Sequence, residues 1–258
     1  MKIHYQTESI GNAIPVAATI GSFDGVHRGH AEILRKTQEA ARQIGGQSLI
    51  ISFNPHPRKI VNPDYRLQML TTPQEQAALF SGFGIDNLLY LPFTQEVAAM
   101  SYSDFLTALT QSIQLNTLVM GYNNNFGSHR EGNREKIATS GLFAKVNLVE
   151  VGALYYNGEA ISSSRIRKTI EAGDISNANN MLGYAYPVEI VSREHCDTGQ
   201  TRCSLTDNDK VVPPEGYYIA SINQEEKQIF IKGKNIYLPE MTNIHQTFKI
   251  NIISKNQY

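Results

Sequence analysis

The most constraining stretch of this chain runs from Ile14 to Gln43. An apolar run, IPVAATI, enters the segment GSFDGVHRGH and leaves it as a helix-patterned stretch, RGHAEILRKTQEAARQ. A buried strand that turns through glycines into an amphipathic helix is the opening unit of an α/β sheet. Gly45-Gly46 ends the helix, and Gln47 to Phe53 (QSLIISF) reads as a second buried strand.

The alternation continues. Residues 73–83 read as a helix with proline in its first turn, 87–91 as a strand, and 101–112 as a helix capped by Ser101 with Asp104 three residues on. Residues 118–120 read as a strand, 131–143 as a helix and 145–151 as a strand. Strands and helices in this order predict a parallel sheet covered on both faces. Ligands in such sheets gather beyond the carboxyl ends of the strands, which singles out the loops after Ile20, Phe53 and Met120. From about Tyr186 helical periodicity disappears. VEIVS, YYIASI, QIFIKG and FKINII are short apolar or alternating runs between polar turns, the pattern of a small all-β module. The expected division is residues 1–185 and 186–258.

Composition narrows the partners. Of 258 residues, 41% are hydrophobic and 18% charged, which suits a packed core, and the net charge of -1 leaves no basic excess for nucleic acid or a membrane surface. No apolar run approaches the roughly 20 residues that span a bilayer, and the N-terminus lacks a signal pattern, so the expected location is the cytoplasm. Cys196 and Cys203 read as free thiols, with a disulfide between them as the alternative. With His195 they are too few for a closed zinc site.

Within Gly21–His30, His27 and His30 stand three apart and share a face of the first helical turn. Gly21 and Gly25 permit a tight turn, and Gly29 removes a side chain where a ligand must come close. Helix-start amides with two imidazoles suit a phosphoryl group that gains charge in a transition state. Ser162, Ser163 and Ser164, in ISSSRIR, offer hydroxyls and free amides at a second helix start ending near Gly173. Arg167 adds a planar cation suited to phosphate oxygens.

G-S-F-D-G-V-H-R-G-H (21–30) resembles the H-x-G-H motif of nucleotidyltransferases. Its longer form is similar to the FAD synthetase (FMN adenylyltransferase) module of bacterial bifunctional riboflavin kinase/FAD synthetases. Phe53-Asn54-Pro55-His56-Pro57-Arg58 resembles that family's F-x-P-H-P. Gly121 to Arg130 resembles G-x-D-F-x-F-G-x-x-R, with Asn123 for the Asp, and Ile161 to Arg167 resembles I-S-S-T-x-I-R, with Ser164 for the Thr.

The resemblance implies a Rossmann-like nucleotidyltransferase domain that uses ATP and FMN as substrates and Mg²⁺ as metal, and yields FAD. It implies catalytic roles for His27, His30 and Arg167. It places Gly21, Phe23, Asp24, Gly29, Ser162, Ser163, Ser164 and Arg167 at ATP. It places Asn54, His56, Pro57, Arg58, Asn123, Phe126 and Arg130 at the flavin nucleotide. The alternatives are a non-catalytic flavin- or nucleotide-binding protein, and an adenylyl- or cytidylyltransferase with another phosphate acceptor.

The tail resembles a riboflavin kinase module in Val212 to Tyr218 (VPPEGYY). The kinase hallmark G-x-P-T-x-N is missing from the stretch before it, TGQTRCSLTDNDK (198–210). The chain ends before the catalytic Glu and closing helix of such a module. The expectation is a truncated barrel-like domain without kinase activity, with Asp207 and Asp209 in a solvated turn.

Overall fold

The computed structural model describes residues 1–197, 199–239 and 245–256. The described residues form two compact units, 1–67 with 73–154, and 68–72 with 155–258. No helix among them is long and apolar enough to cross a membrane.

The first unit is an α/β layer structure. Its strands are β1 (Lys2–His4), β2 (Pro15–Ile20), β3 (Gln47–Phe53), β4 (Asn87–Leu91), β5 (Gln114–Gly121) and β6 (Asn147–Val151). They form one parallel sheet in the order β1-β4-β3-β2-β5-β6. From β2 the chain steps outward through β3 and β4, then returns to β5 on the other side of β2. That reversal is the topological switch point, and open α/β sheets bind their ligands beyond the carboxyl ends of the strands at such a point.

Helix α1 (Arg28–Gln43) follows β2. It buries Leu34, Thr37, Ala40 and Ala41 on the face toward the sheet, while Glu32, Arg35 and Glu39 pair on its outer side. Gly45 takes φ 61° past its end, and a Cβ on Gly46 would collide with the Pro15 carbonyl. The two glycines therefore set the return into β3. The helices that follow are α2 (Pro57–Val61), α3 (Pro73–Gly82), α4 (Gln95–Ala99), α5 (Tyr102–Ser112) and α6 (Arg134–Thr139). Ser101 caps α5 as expected, accepting from the Asp104 amide at 3.1 Å.

Helix α6 is shorter than the expected 131–143. The chain before it is pinned instead: Phe126 bridges Gly132, and the Ser128 amide donates to the Met100 carbonyl. Asn133 then caps the helix from the Lys136 amide at 2.9 Å. Strand β5 starts at Gln114 rather than Leu118 because its early residues pair with β2.

The second unit begins with the hairpin β7 (Tyr155–Tyr156) and β8 (Glu159–Ala160) and the helices α7 (Ser163–Glu171) and α8 (Ile175–Leu182). Six antiparallel strands follow: β9 (Tyr186–Cys196), β10 (Gln200–Leu205), β11 (Gly216–Ile222), β12 (Glu225–Lys232), β13 (Asn235–Pro239) and β14 (Thr247–Lys255). They close in the order β10-β13-β12-β11-β14-β9. The six strands close on themselves as the small barrel that the sequence pattern implied. Inward residues alternate along each strand and include Val188, Ile190, Tyr218, Ile231, Ile236 and Ile250.

Compactness divides the chain earlier than residue 185, because the two helices share the barrel's core. Ile166 and Ile170 of α7 and Ile175 and Met181 of α8 belong to that apolar cluster. Asn179 seals α8 to the barrel, donating to the Ile252 and Ile253 carbonyls and accepting from the Tyr186 amide.

Residues 68–72 also join the barrel. Met69 exchanges backbone bonds with Asp209 and Val211, and the buried Lys210 ammonium donates to the Leu70 carbonyl at 2.6 Å. Asp207 accepts from the Asp209 amide in a tight turn. Among the described residues no three His, Cys, Asp or Glu side chains gather as a metal site. Cys196 and Cys203 are free, and burial pushes the Cys203 thiol up to about 11. Thr198 of the TGQTRCSLTDNDK stretch lies outside the described residues.

Candidate active site

The loop from β2 into α1 carries the histidine pair to the switch point. His27 is the N-cap of α1. Its backbone is extended, and its Nδ1 accepts the His30 amide at 3.3 Å. A ring nitrogen that accepts a hydrogen bond carries no proton, so the neutral tautomer has its hydrogen on Nε2. The His30 ring lies against the His27 ring at 3.6 Å between centroids and 16° between planes. The Phe23 ring meets the His30 ring edge-to-face at 5.2 Å between centroids, and Phe80 of α3 supports Phe23 at 5.9 Å.

Both imidazoles are held neutral. Burial lowers His27 to about 4, against an opposing pull from Asp24. Burial lowers His30 well below its usual value, and the neighbouring His27 adds to the effect. Two stacked imidazolium ions would repel, so the geometry and the depressed basicity agree. The pair offers N–H donors rather than fixed positive charge.

The glycines work by making room. A Cβ on Gly29 would lie 3.2 Å from the His27 ring, and one on Gly21 would lie 3.1 Å from the Phe23 ring. Phe23 and Val26 hold positive φ values of 47° and 34° although neither is glycine. Such backbone is uncommon for these side chains and marks strain at a turn. Three buried polar atoms of this region, Thr19 Oγ1 near the end of β2, Ser52 Oγ near the end of β3 and His30 Nδ1, have no hydrogen-bond partner within the protein. Buried polar groups are normally satisfied.

The other motifs of the first unit surround the same sheet edge. His56 caps α2 by accepting from the Arg58 amide at 3.1 Å, and the Asn54-Pro55 bond is cis. Phe53 and Phe126 both contact Phe105, at 6.2 and 5.9 Å between ring centroids. The loops after β3 and β5 thus share one aromatic support, and Phe126 serves as part of it. Asn123 and Arg130 are exposed.

Two residues that the sequence did not single out, Gln76 and Asn124, bond the loop after β2. Asn124 is visible only as a departure: it stands where the pattern G-x-D-F-x-F-G has its first Phe. Gln76 left no signal in the sequence.

In the second unit, Ser162 caps α7 from the Arg165 amide at 3.3 Å. Ser163 and Ser164 form the first turn, and Arg167 is buried on the helix. Arg165 fixes the preceding hairpin by donating to the Tyr156 and Glu159 carbonyls.

Comparison with known proteins supplies the family. Residues 10–165 match the FAD synthetase family. The chain is 31% identical over 172 residues to a bifunctional riboflavin kinase/FMN adenylyltransferase of Pseudomonas fluorescens, across 66% of this chain and 55% of that protein. It is 27% identical over 171 residues to the Escherichia coli K12 protein of the same name, across 66% of this chain and 55% of that one. The chain therefore spans about half the length of these relatives. A Geobacillus thermodenitrificans relative described by the same two activities is 32% identical over 184 residues, 71% of this chain and 98% of that one. A solved structure titled macrolide-efflux protein, from Streptococcus pneumoniae, shares the fold with a TM-score of 0.86 at 19% identity, over 98% of this chain and 89% of that one. The ordered motifs, the histidine pair at the switch point and the family match agree, and this chain belongs to the FAD synthetase family.

Proposed function

We propose that the chain transfers the adenylyl group of ATP to FMN, forming FAD and releasing pyrophosphate. The observation that carries this reading is the stacked, neutral His27–His30 pair at the start of α1. An oxygen of the FMN phosphate attacks the α-phosphorus of ATP, and the bond from that phosphorus to the pyrophosphate oxygen breaks. No covalent protein intermediate is needed, so positioning and charge stabilisation do most of the work. With His27 Nδ1 occupied by the His30 amide, its Nε2–H is the proton it can offer to a phosphate oxygen.

The family resemblance adds the remaining assignments as proposals. Ser163 and Arg167 contact ATP phosphates, with Ser162 and Ser164 beside them. Asn54, His56, Pro57, Arg58, Asn123, Phe126 and Arg130 lie on the flavin side. Mg²⁺ arrives with the triphosphate as part of the substrate. Mg²⁺ is commonly held by substrate phosphates and one or two carboxylates. We also propose that the chain lacks riboflavin kinase activity. The support is the missing P-T-x-N in a stretch whose Gln200–Leu205 pairs as a barrel strand.

The test is direct. Purified protein with ATP, Mg²⁺ and FMN should yield FAD on chromatography, and none at high enzyme concentration overturns the reading. Riboflavin with ATP should yield no FMN, and any FMN formed overturns the second proposal. A screen of other phosphate acceptors separates FMN from rival substrates.

A further inference from the structure

We infer that Asn124 and Gln76 are positioning residues, a pair of side-chain amides that clamp the turn carrying His27 and His30. Asn124 Nδ2 donates to the Ile20 carbonyl at 2.5 Å, and Gln76 Nε2 donates to the Ser22 carbonyl at 3.0 Å. These carbonyls lie on either side of Gly21, where the chain leaves β2. The Gly21 amide itself donates to the Ile51 carbonyl at 3.0 Å.

The two clamps come from opposite sides of the switch point. Asn124 sits in the loop after β5, so its bond ties that loop to the carboxyl end of the adjacent strand β2. Its own amide donates to the Gly121 carbonyl, which makes the loop a tight turn. Gln76 lies on α3 and is 5% exposed. Its Oε1 faces the Tyr90 hydroxyl at 3.3 Å, and that hydroxyl also lies 2.9 Å from the Pro73 carbonyl. The Tyr90 hydroxyl shares its one proton between these two oxygens, and the donor end of Gln76 holds the turn.

The turn needs such support. Phe23 and Val26 occupy positive φ, a conformation that persists only where the surroundings over-determine it. Phe23 also backs the His30 ring, so any drift of residues 20–23 moves the imidazole. An amide suits the task, since it holds a carbonyl without placing a full charge beside a phosphate site.

The kinetic part of the test rests on the FMN adenylyltransferase reading, and the spectroscopic part does not. Asn124→Leu and Gln76→Met keep approximate size and remove the donor. The imidazole nitrogen and proton resonances of His27 and His30 are recorded in ligand-free protein. Then kcat and KM for FAD formation are measured for each variant alone and in the His30→Ala background.

The expected result is displaced or broadened imidazole signals and a kcat loss of about tenfold or more, because small misplacements of reacting groups are costly. KM for FMN should change less than about threefold. In the His30→Ala background the same substitutions should cost less than about twofold further, since residues acting through one another are not additive. Unmoved signals with wild-type kcat overturn the inference, as do equal losses in both backgrounds, which indicate general damage. If Asn124→Leu fails to fold, Gln76→Met and Asn124→Ser carry the same measurements. If wild-type protein forms no FAD but the signals move in the variants, the clamp stands and the substrate reading falls.

Discussion

The His27 and His30 rings lie 3.6 Å apart and 16° from parallel, with the Nδ1 of the first capping the helix that carries the second. One residue thus caps the helix that carries its partner, stacks on the partner's ring and keeps its own hydrogen on Nε2. His30→Ala should lower kcat for FAD formation by about 10²–10³-fold, or roughly 2.7–4 kcal/mol, as for loss of one transition-state donor. FMN binding, read by flavin fluorescence, should change little. A loss of less than about tenfold in kcat would mark His30 as structural.

The same pair predicts a pH dependence of stability. His27 is lowered to about 4 and His30 lies well below 6.5. As pH falls, the unfolded chain takes up these protons first. Stability is therefore full above about 6.5 and declines toward pH 4, by up to about 1.4 kcal/mol per pH unit for each histidine. His27→Asn keeps a capping side chain and removes the titration. Urea midpoints at pH 7, 5.5 and 4.5 should fall less steeply for this variant than for wild type. Parallel curves would count against the desolvated ring.

Ser162 and Ser163 should separate stability from turnover. Ser162→Ala removes the α7 cap and should cost about 0.5–2 kcal/mol by denaturant unfolding. Ser163→Ala should leave the unfolding midpoint within about 0.5 kcal/mol while raising KM for ATP. Equal effects of the two substitutions on both measurements would remove the phosphate role proposed for Ser163.

Ile170 tests the membership of α7 in the barrel unit. Its side chain is fully buried in the barrel's apolar cluster. Ile170→Ala should destabilise that unit by roughly 2–5 kcal/mol. Hydrogen exchange should report the loss in β9, β11 and β14 as well as in α7. Faster exchange confined to α7 would show that the helix is a separate appendage.

How much was legible in the sequence depended on the range of the interactions involved. Helix α1 spans Arg28–Gln43 and β3 spans Gln47–Phe53, the bounds that apolar periodicity and the Gly45-Gly46 stop imply. The Ser101 cap was equally legible, because a capping side chain bonds an amide three residues away; local pattern did not separate Ser162 from Ser163 and Ser164 as the cap of α7. The expected 131–143 helix failed because its first residues pair with a loop rather than with each other, a competition that local pattern does not report. The parallel sheet and its ligand-bearing carboxyl edge followed from alternation of strands and helices, but nothing local gave the strand order, identified Gln76, whose partner is Ser22, or separated Asn124 from its neighbouring asparagines.

The histidine pair shows where the boundary lies. By itself the sequence determined that two imidazoles three residues apart would open a helix at the end of a buried strand, since strand, turn and helix are short-range consequences of apolar period and glycine placement. Only the tertiary structure decided that the rings stack, that both are neutral, and that residues from α3 and the β5 loop hold their turn. Those outcomes come from burial, and from hydrogen bonds between residues 54 and 104 positions apart. Desolvation and long-range pairing arise only once the sheet has brought its strand ends together.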